Sequence, residues 1–156
     1  MSDLPPVSII IPNFNGATLL QNNLPSVLDA LECYPGGGRV IVVDDGSQDD
    51  SVHVVAQHFS QVWLEKHATN LGFAEAIHSG VRVAKSDALI FLNSDVRPER
   101  DFIAPLIRCL REDGVFSVQS AIREEAGNIH PYCLTRFRFR MGVLKRLKTL
   151  DLGHQP

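Results

Sequence analysis

Ala88-Leu89-Ile90-Phe91-Leu92 is an unbroken apolar run that ends in Asn93-Ser94-Asp95. A short apolar run without alternation is the pattern of a strand covered on both faces, as in a parallel sheet with helices above and below it. The same pattern stands upstream, where Val40-Ile41-Val42-Val43 passes directly into Asp44-Asp45-Gly46-Ser47. Ligands of open α/β sheets gather outside the carboxyl ends of the strands. Two strand ends that turn acidic therefore mark one candidate site for a metal and a polar ligand.

Working outward, Val7-Ser8-Ile9-Ile10-Ile11 reads as the first strand, which Pro12 is expected to stop because it lacks an N–H. Asn13-Phe14-Asn15-Gly16 is a turn, with Asn and Gly available for positive φ. Leu19, Leu20, Leu24, Val27, Leu28 and Leu31 then recur at helical spacing, which predicts a helix over 17–33, with Pro25 expected to kink it or mark a restart. The segment 49–59 reads as a helix capped by Ser47 or Asp49. A weaker strand follows at 62–65, then helices over 73–84 and 99–111 and an alternating strand over 115–122. Cys109 falls at an apolar-helix position and is expected in the core. Apolar runs alternating with helical segments predict an α/β, Rossmann-like, mostly parallel sheet flanked by helices.

A chain of 156 residues is enough for one domain with a real core. The formal net charge of −3 argues against a general nucleic-acid binder. Cys33, Cys109 and Cys133 are odd in number and lack metal-ligand spacing, so reduced thiols and a cytoplasmic location are expected. No apolar run approaches the length of a transmembrane helix. The charge is nevertheless uneven: Arg136, Arg138, Arg140, Lys145, Arg146 and Lys148 cluster near the C-terminus, and all 18 Asp and Glu lie outside that stretch.

An ionised carboxylate only accepts hydrogen bonds, so Asp44 and Asp45 suit ligand groups that carry N–H or O–H donors, such as a pyrimidine imide, a guanine edge or a ribose hydroxyl. A polar turn capping the next helix accounts for the same residues equally well. Asn93 and Asp95 place two oxygen ligands two positions apart, which suits Mg2+ or Mn2+ sharing its shell with water and substrate phosphates. Asn70-Leu71-Gly72-Phe73-Ala74 opens a helix in the same topological place, and Gly72 permits close backbone approach.

Together, the blocks Val7 to Gly16, Val42-Val43-Asp44-Asp45-Gly46-Ser47 with Asp49 and Ser51, Asn70 to Ala74, and Phe91 to Val96 closely resemble family 2 glycosyltransferases, over about residues 7–130. Within that family the nearest likeness is to rhamnosyltransferase-like members. The resemblance implies the GT-A fold and inverting transfer of a sugar from a nucleotide diphosphate donor. It implies that Pro12 and Phe14 line the base and ribose pocket and that Asp45, beside Asp44, contacts the nucleobase or ribose. Asn70 and Gly72 would sit against the nucleotide. Asp95 would be the metal ligand, with Asn93 at the other position of the motif, where an acidic residue is the usual form. dTDP- or UDP-sugars are the donors it favours, and a glycan or lipid-linked hydroxyl the acceptor.

The family's catalytic base lies downstream, in an acceptor-binding half with a Gly-rich segment and a Glu-Asp pair. The sequence beyond Asp95 has neither, and Asp151 is the only acidic residue after Glu125. The expectation is therefore a truncated GT-A domain: residues 1–135 as the nucleotide-sugar-binding half, without the base, and 136–156 as a basic segment. That segment is read as an alternating strand over 136–141 and a basic amphipathic turn or helix over 142–150, available for peripheral contact with an anionic membrane. A homo-oligomer formed over exposed apolar surface is a further expectation. A non-catalytic module that binds a nucleotide sugar or a partner chain is the alternative reading. The six histidines are read as structural or surface residues.

Overall fold

The computed structural model describes residues 4–123 together with the strand residues 135–140 and 143–149. Residues 1–111 form one compact unit and the chain from 112 onward another. The first unit runs β1 (Val7–Asn13), α1 (Ala17–Cys33), β2 (Gly38–Asp44), α2 (Ser51–His58), β3 (Trp63–Lys66), α3 (Phe73–Val83), β4 (Ala88–Phe91) and α4 (Ile103–Leu110). Its four strands are parallel, in the order β3-β2-β1-β4. This is the α/β arrangement that the alternating pattern predicts.

Side chains of the central strands alternate between two apolar layers. Val7, Ile9 and Ile11 of β1, with Val40 and Val42 of β2, pack against Leu20, Leu24, Val27 and Ala30 of α1, Val55 of α2 and Ile103 and Ile107 of α4. Ile10, Ile41 and Val43 face the other way, against Ala76 of α3. The sheet is thus sandwiched, and β1 is buried along its whole length. α3 seats closely on it because position 80 is glycine: a Cβ there would lie 2.4 Å from Ile10 Cγ2.

Several expectations are corrected. β1 does not stop at Pro12 but continues to Asn13, with Pro12 in register with Val43. Backbone groups in a strand alternate sides. Ile10 O accepts from Leu92 N on the β4 side (3.0 Å), and Asn13 O accepts from Asp45 N on the β2 side (2.8 Å). Pro12 shares the parity of Ile10, so its missing N–H faces β4, whose ladder with β1 ends at Ile10. The ladder with β2 therefore loses no bond. β4 is not covered on both faces: only Ala88 is buried and Phe91 is exposed, because β4 is an outer strand of the sheet. α1 runs unbroken through Pro25 without a restart. Cys109 is exposed rather than core. α4 buries Ile103 and Ile107, and a residue two places further lies on the opposite side of a helix.

In the second unit, residues 115–122 form no strand, and Phe116 is fully exposed. β5 (Thr135–Arg140) and β6 (Val143–Thr149) pair antiparallel. The expected turn or helix over 142–150 is therefore a strand over most of its length. Asp151 lies outside the described residues. No helix among the described residues is long and apolar enough to cross a membrane.

Candidate functional site

Chain order leaves β1 in both directions: β2 and β3 lie on one side and β4 on the other. The carboxyl edge beside such a reversal is where open α/β sheets form a crevice. The residues singled out in the sequence meet this edge. Asn13 to Gly16 leave β1, Asp44 to Ser47 leave β2, His67 to Gly72 leave β3, and Asn93 to Asp95 leave β4.

The β1 and β2 tips are fastened by side chains. Asn13 Nδ2 donates to Asp44 Oδ1 (3.1 Å) and Ser47 N to Asp44 Oδ2 (3.0 Å). Asn15 N donates to Ser47 Oγ (2.9 Å), and Asn15 Oδ1 accepts from Gln48 N (2.8 Å). Asn15 holds a φ of 52°, a region that Asn tolerates better than most residues. Ala17 N, at the start of α1, donates to Asp49 Oδ2 (2.9 Å), and Ser51 N donates to Asp49 Oδ1 (3.0 Å). Ser47 and Asp49 thus serve the β1–α1 turn. The N-cap position of α2 is Asp50, which makes no side-chain capping bond. Burial pushes the Asp49 carboxyl up, but its bonds from Ser51 and Ala17 outweigh that and hold it below the ordinary carboxylate range.

Asp45 does something different. Its carboxylate turns into the loop after β3, accepting from Leu71 N at Oδ1 and Gly72 N at Oδ2, both at 2.8 Å. His67 Nδ1 lies 2.7 Å from the same Oδ1, and His67 Nε2 lies 2.8 Å from Ser79 Oγ on α3. Burial pushes the carboxyl up, but the hydrogen bonds from Leu71, His67 and Gly72 outweigh it and hold Asp45 below its ordinary value. Two glycines make this possible. A Cβ on Gly46 (φ +72°) would stand 2.5 Å from the Thr69 carbonyl carbon, and Gly72 takes φ +91° at the N-terminus of α3.

Pro12 is buried in β1, and Asp44 and Asp45 are buried at the β2 tip; Phe14 and Asn70 are exposed on the rim. Asn93 and Asp95 are exposed, and their loop is anchored by Asn23 of α1, whose Nδ2 donates to Ser94 O (2.9 Å). No group of three His, Cys, Asp or Glu among the described residues could hold a metal unaided. The donor set, one free carboxylate and one amide oxygen, fits an ion that shares its shell with substrate phosphates. Asn13 Oδ1 is buried without a partner. It lies at the tightest point of the β1 turn, where a Cβ on Gly16 would come within 2.3 Å of it.

The sequence gives no sign that Asn13, Asn23, His67 and Ser79 tie these strand-end loops together. The register of β2 with β3, Asp44 opposite Lys66, is the signal that sets His67 beside Asp45. His67, read as structural or surface, is a largely buried side chain that ties Asp45 to Ser79 of α3.

The model of glycosyl transferase family 2 matches residues 8–154. The chain belongs to glycosyl transferase family 2. The chain is 34% identical over 89 residues to an uncharacterized glycosyltransferase of Mycobacterium tuberculosis, covering 57% of this chain and 36% of that one. It is 28% identical over 128 residues to an N-acetylglucosaminyltransferase of Rhizobium leguminosarum bv. trifolii, covering 78% and 69%. Among solved structures, a mannosyltransferase from Pyrobaculum calidifontis in complex with GDP-Man and Mn2+ superposes with a TM-score of 0.68 at 23% identity, covering 79% of this chain and 37% of that one. S. aureus TarS 1-349 in complex with UDP superposes with a TM-score of 0.60 at 20% identity, covering 76% and 40%. At those identities the likeness shows a shared fold, the GT-A arrangement of this glycosyltransferase family. The chain spans about a third of the length of the first curated relatives it matches.

Proposed function

We propose that this family 2 chain binds the nucleotide diphosphate sugar donor of an inverting glycosyltransferase. The observation that carries the reading is the meeting of four motif-bearing strand ends at one sheet edge, with Asp45 binding the loop that opens α3. Pro12 and Phe14 would border the base and ribose, Asp45 with Asp44 behind it would meet the base, and Asn70 and Gly72 would lie against the nucleotide. Asp95, with Asn93, would hold Mg2+ or Mn2+, whose chemistry at such a site is to offset the charge on the departing diphosphate. A bound Mn2+ and bound GDP-Man in one structural neighbour, and UDP in another, support this class of donor. The acceptor would be a glycan or lipid-linked hydroxyl of cell-surface type.

We assign no catalytic base among the described residues. Transfer needs both reactants held together, so donor binding with little or no turnover is the expected behaviour of the 156-residue chain. The test is calorimetric titration with UDP, dTDP and GDP, with and without Mn2+, on the wild type and on Asp95→Ala. Metal-dependent binding of one nucleotide, lost in Asp95→Ala with folding unchanged, is the expected result. Metal-independent binding that Asp95→Ala leaves intact would remove the assigned metal ligand. Binding with no transfer to any acceptor, even in the full-length gene product, would favour the non-catalytic module.

A further inference from the structure

Asp45 enters the donor site with most of its accepting capacity already in use. A carboxylate offers about four acceptor positions, two on each oxygen. On Oδ1 one is taken by Leu71 N–H (2.8 Å) and the other by His67 Nδ1 (2.7 Å); on Oδ2 one is taken by Gly72 N–H (2.8 Å). A single position, on Oδ2, is left.

His67 is committed to this arrangement from its far side. An ionised carboxylate only accepts, so Nδ1 carries the hydrogen. Ser79 Oγ, 2.8 Å from Nε2, already accepts from Arg82 (2.6 Å), and Arg82 is itself tied to Glu75 (2.7 Å). The ring is thereby held at both nitrogens, with Nδ1–H facing the Asp45 carboxylate. The side chains of His67 and Asp45 are 8% and 5% exposed, so water does not compete for these bonds.

We propose that His67 determines which nucleobase the donor site accepts: by filling the second position on Asp45 Oδ1 it leaves one acceptor for the base. A base with one N–H on its recognised edge, the imide of uracil or thymine, is satisfied by one acceptor. Guanine presents adjacent N1–H and N2–H donors and pairs with a carboxylate through both oxygens. On this Asp45 it would have to displace the His67 N–H or leave one of its own donors unpaired, and sites built on buried hydrogen bonds reject ligands for that reason. The inference rests on the reading of Asp45 as the base contact. It adds the reason why that contact is selective, in a residue outside the motifs.

The test is calorimetry with UDP, dTDP and GDP in the presence of Mn2+ on the wild type, His67→Leu, His67→Asn and Ser79→Ala, with thermal melts alongside. The wild type should bind UDP or dTDP at least about tenfold tighter than GDP. His67→Leu removes the donor and should bring that ratio toward unity. His67→Asn, whose amide N–H stands near the place of Nδ1–H, should keep it. Ser79→Ala retains the ring but removes the bond that holds it at Nε2, so it should narrow the ratio in part, and it carries the test if His67→Leu does not fold. Equal weakening of all three nucleotides in every variant, with the ratio unchanged, would make His67 purely structural and overturn the proposal. So would wild-type binding of GDP as tight as UDP, which leaves the donor-site reading standing. No nucleotide bound by the folded wild type would overturn both.

Discussion

Replacing Asp45 with Asn keeps the shape of the side chain and removes its charge and one acceptor. The amide oxygen is best placed at Oδ1, where it retains Leu71 N–H and the His67 ring as neutral bonds. The amide NH2 then faces Gly72 N–H, donor against donor, where Oδ2 accepts at 2.8 Å. Weakening two charge-assisted bonds and leaving a buried N–H unpaired sums to roughly 2–4 kcal/mol. The Asp45 side chain is 5% exposed, so solvent screening does not reduce the figure much. Urea denaturation followed through Trp63, the single tryptophan, reads the loss directly. The pH dependence supplies an independent check. The native carboxyl is held below its ordinary value, so the unfolded chain takes up the proton first. The carboxylate's contribution is complete above about pH 4 and falls away below it, as pH drops through the native value. The difference between wild type and variant should therefore be flat from about pH 7 to pH 5 and shrink below about pH 4. A difference under about 0.5 kcal/mol at pH 7, or one that disappears before pH 5, would refute the claim that Asp45 clamps the loop.

Two further outcomes follow from single contacts. Asp49→Ala removes the acceptor at the first N–H of α1, which has no cap of its own, and should destabilise the fold by about 0.5–2 kcal/mol on the same urea assay. Cys109→Ser should change stability by no more than about 0.5 kcal/mol, because the side chain is exposed; a loss of 2 kcal/mol or more would put it back in the core.

What the sequence disclosed depended on how much of a segment's environment was local. β1 and β2 were legible because both their faces are buried, which writes an unbroken apolar run into the chain. β4 carries the same kind of run, yet its place at the outside of the sheet is a matter of topology, which composition does not encode. Residues 115–122 alternate as a half-buried strand would, yet they form no strand and Phe116 is exposed, because alternation alone does not supply a neighbouring strand. Among the candidate site residues, Asp44, Asp45, Asn70, Gly72, Asn93 and Asp95 stand out in the sequence because they follow strands inside recognisable blocks. Asn13, Asn23, His67 and Ser79 act through bonds that span 12 to 71 residues of chain, and only register and packing bring such partners together.

The position of Pro12 bears on how this crevice stays available. Beyond Ile10 and Phe91 the tips of β1 and β4 run on through residues with strong tendencies to pair, Ile11 on one side and Leu92 on the other. A hydrogen at position 12 would invite the ladder to zip one step further across the gap between the two tips. The pyrrolidine ring removes that hydrogen on the one side where it would matter, and leaves the β2 side fully laced. The seam between β1 and β4 therefore lacks its donor at position 12, and any strand that ran on beside β1 into the mouth would find only the Pro12 carbonyl to bond.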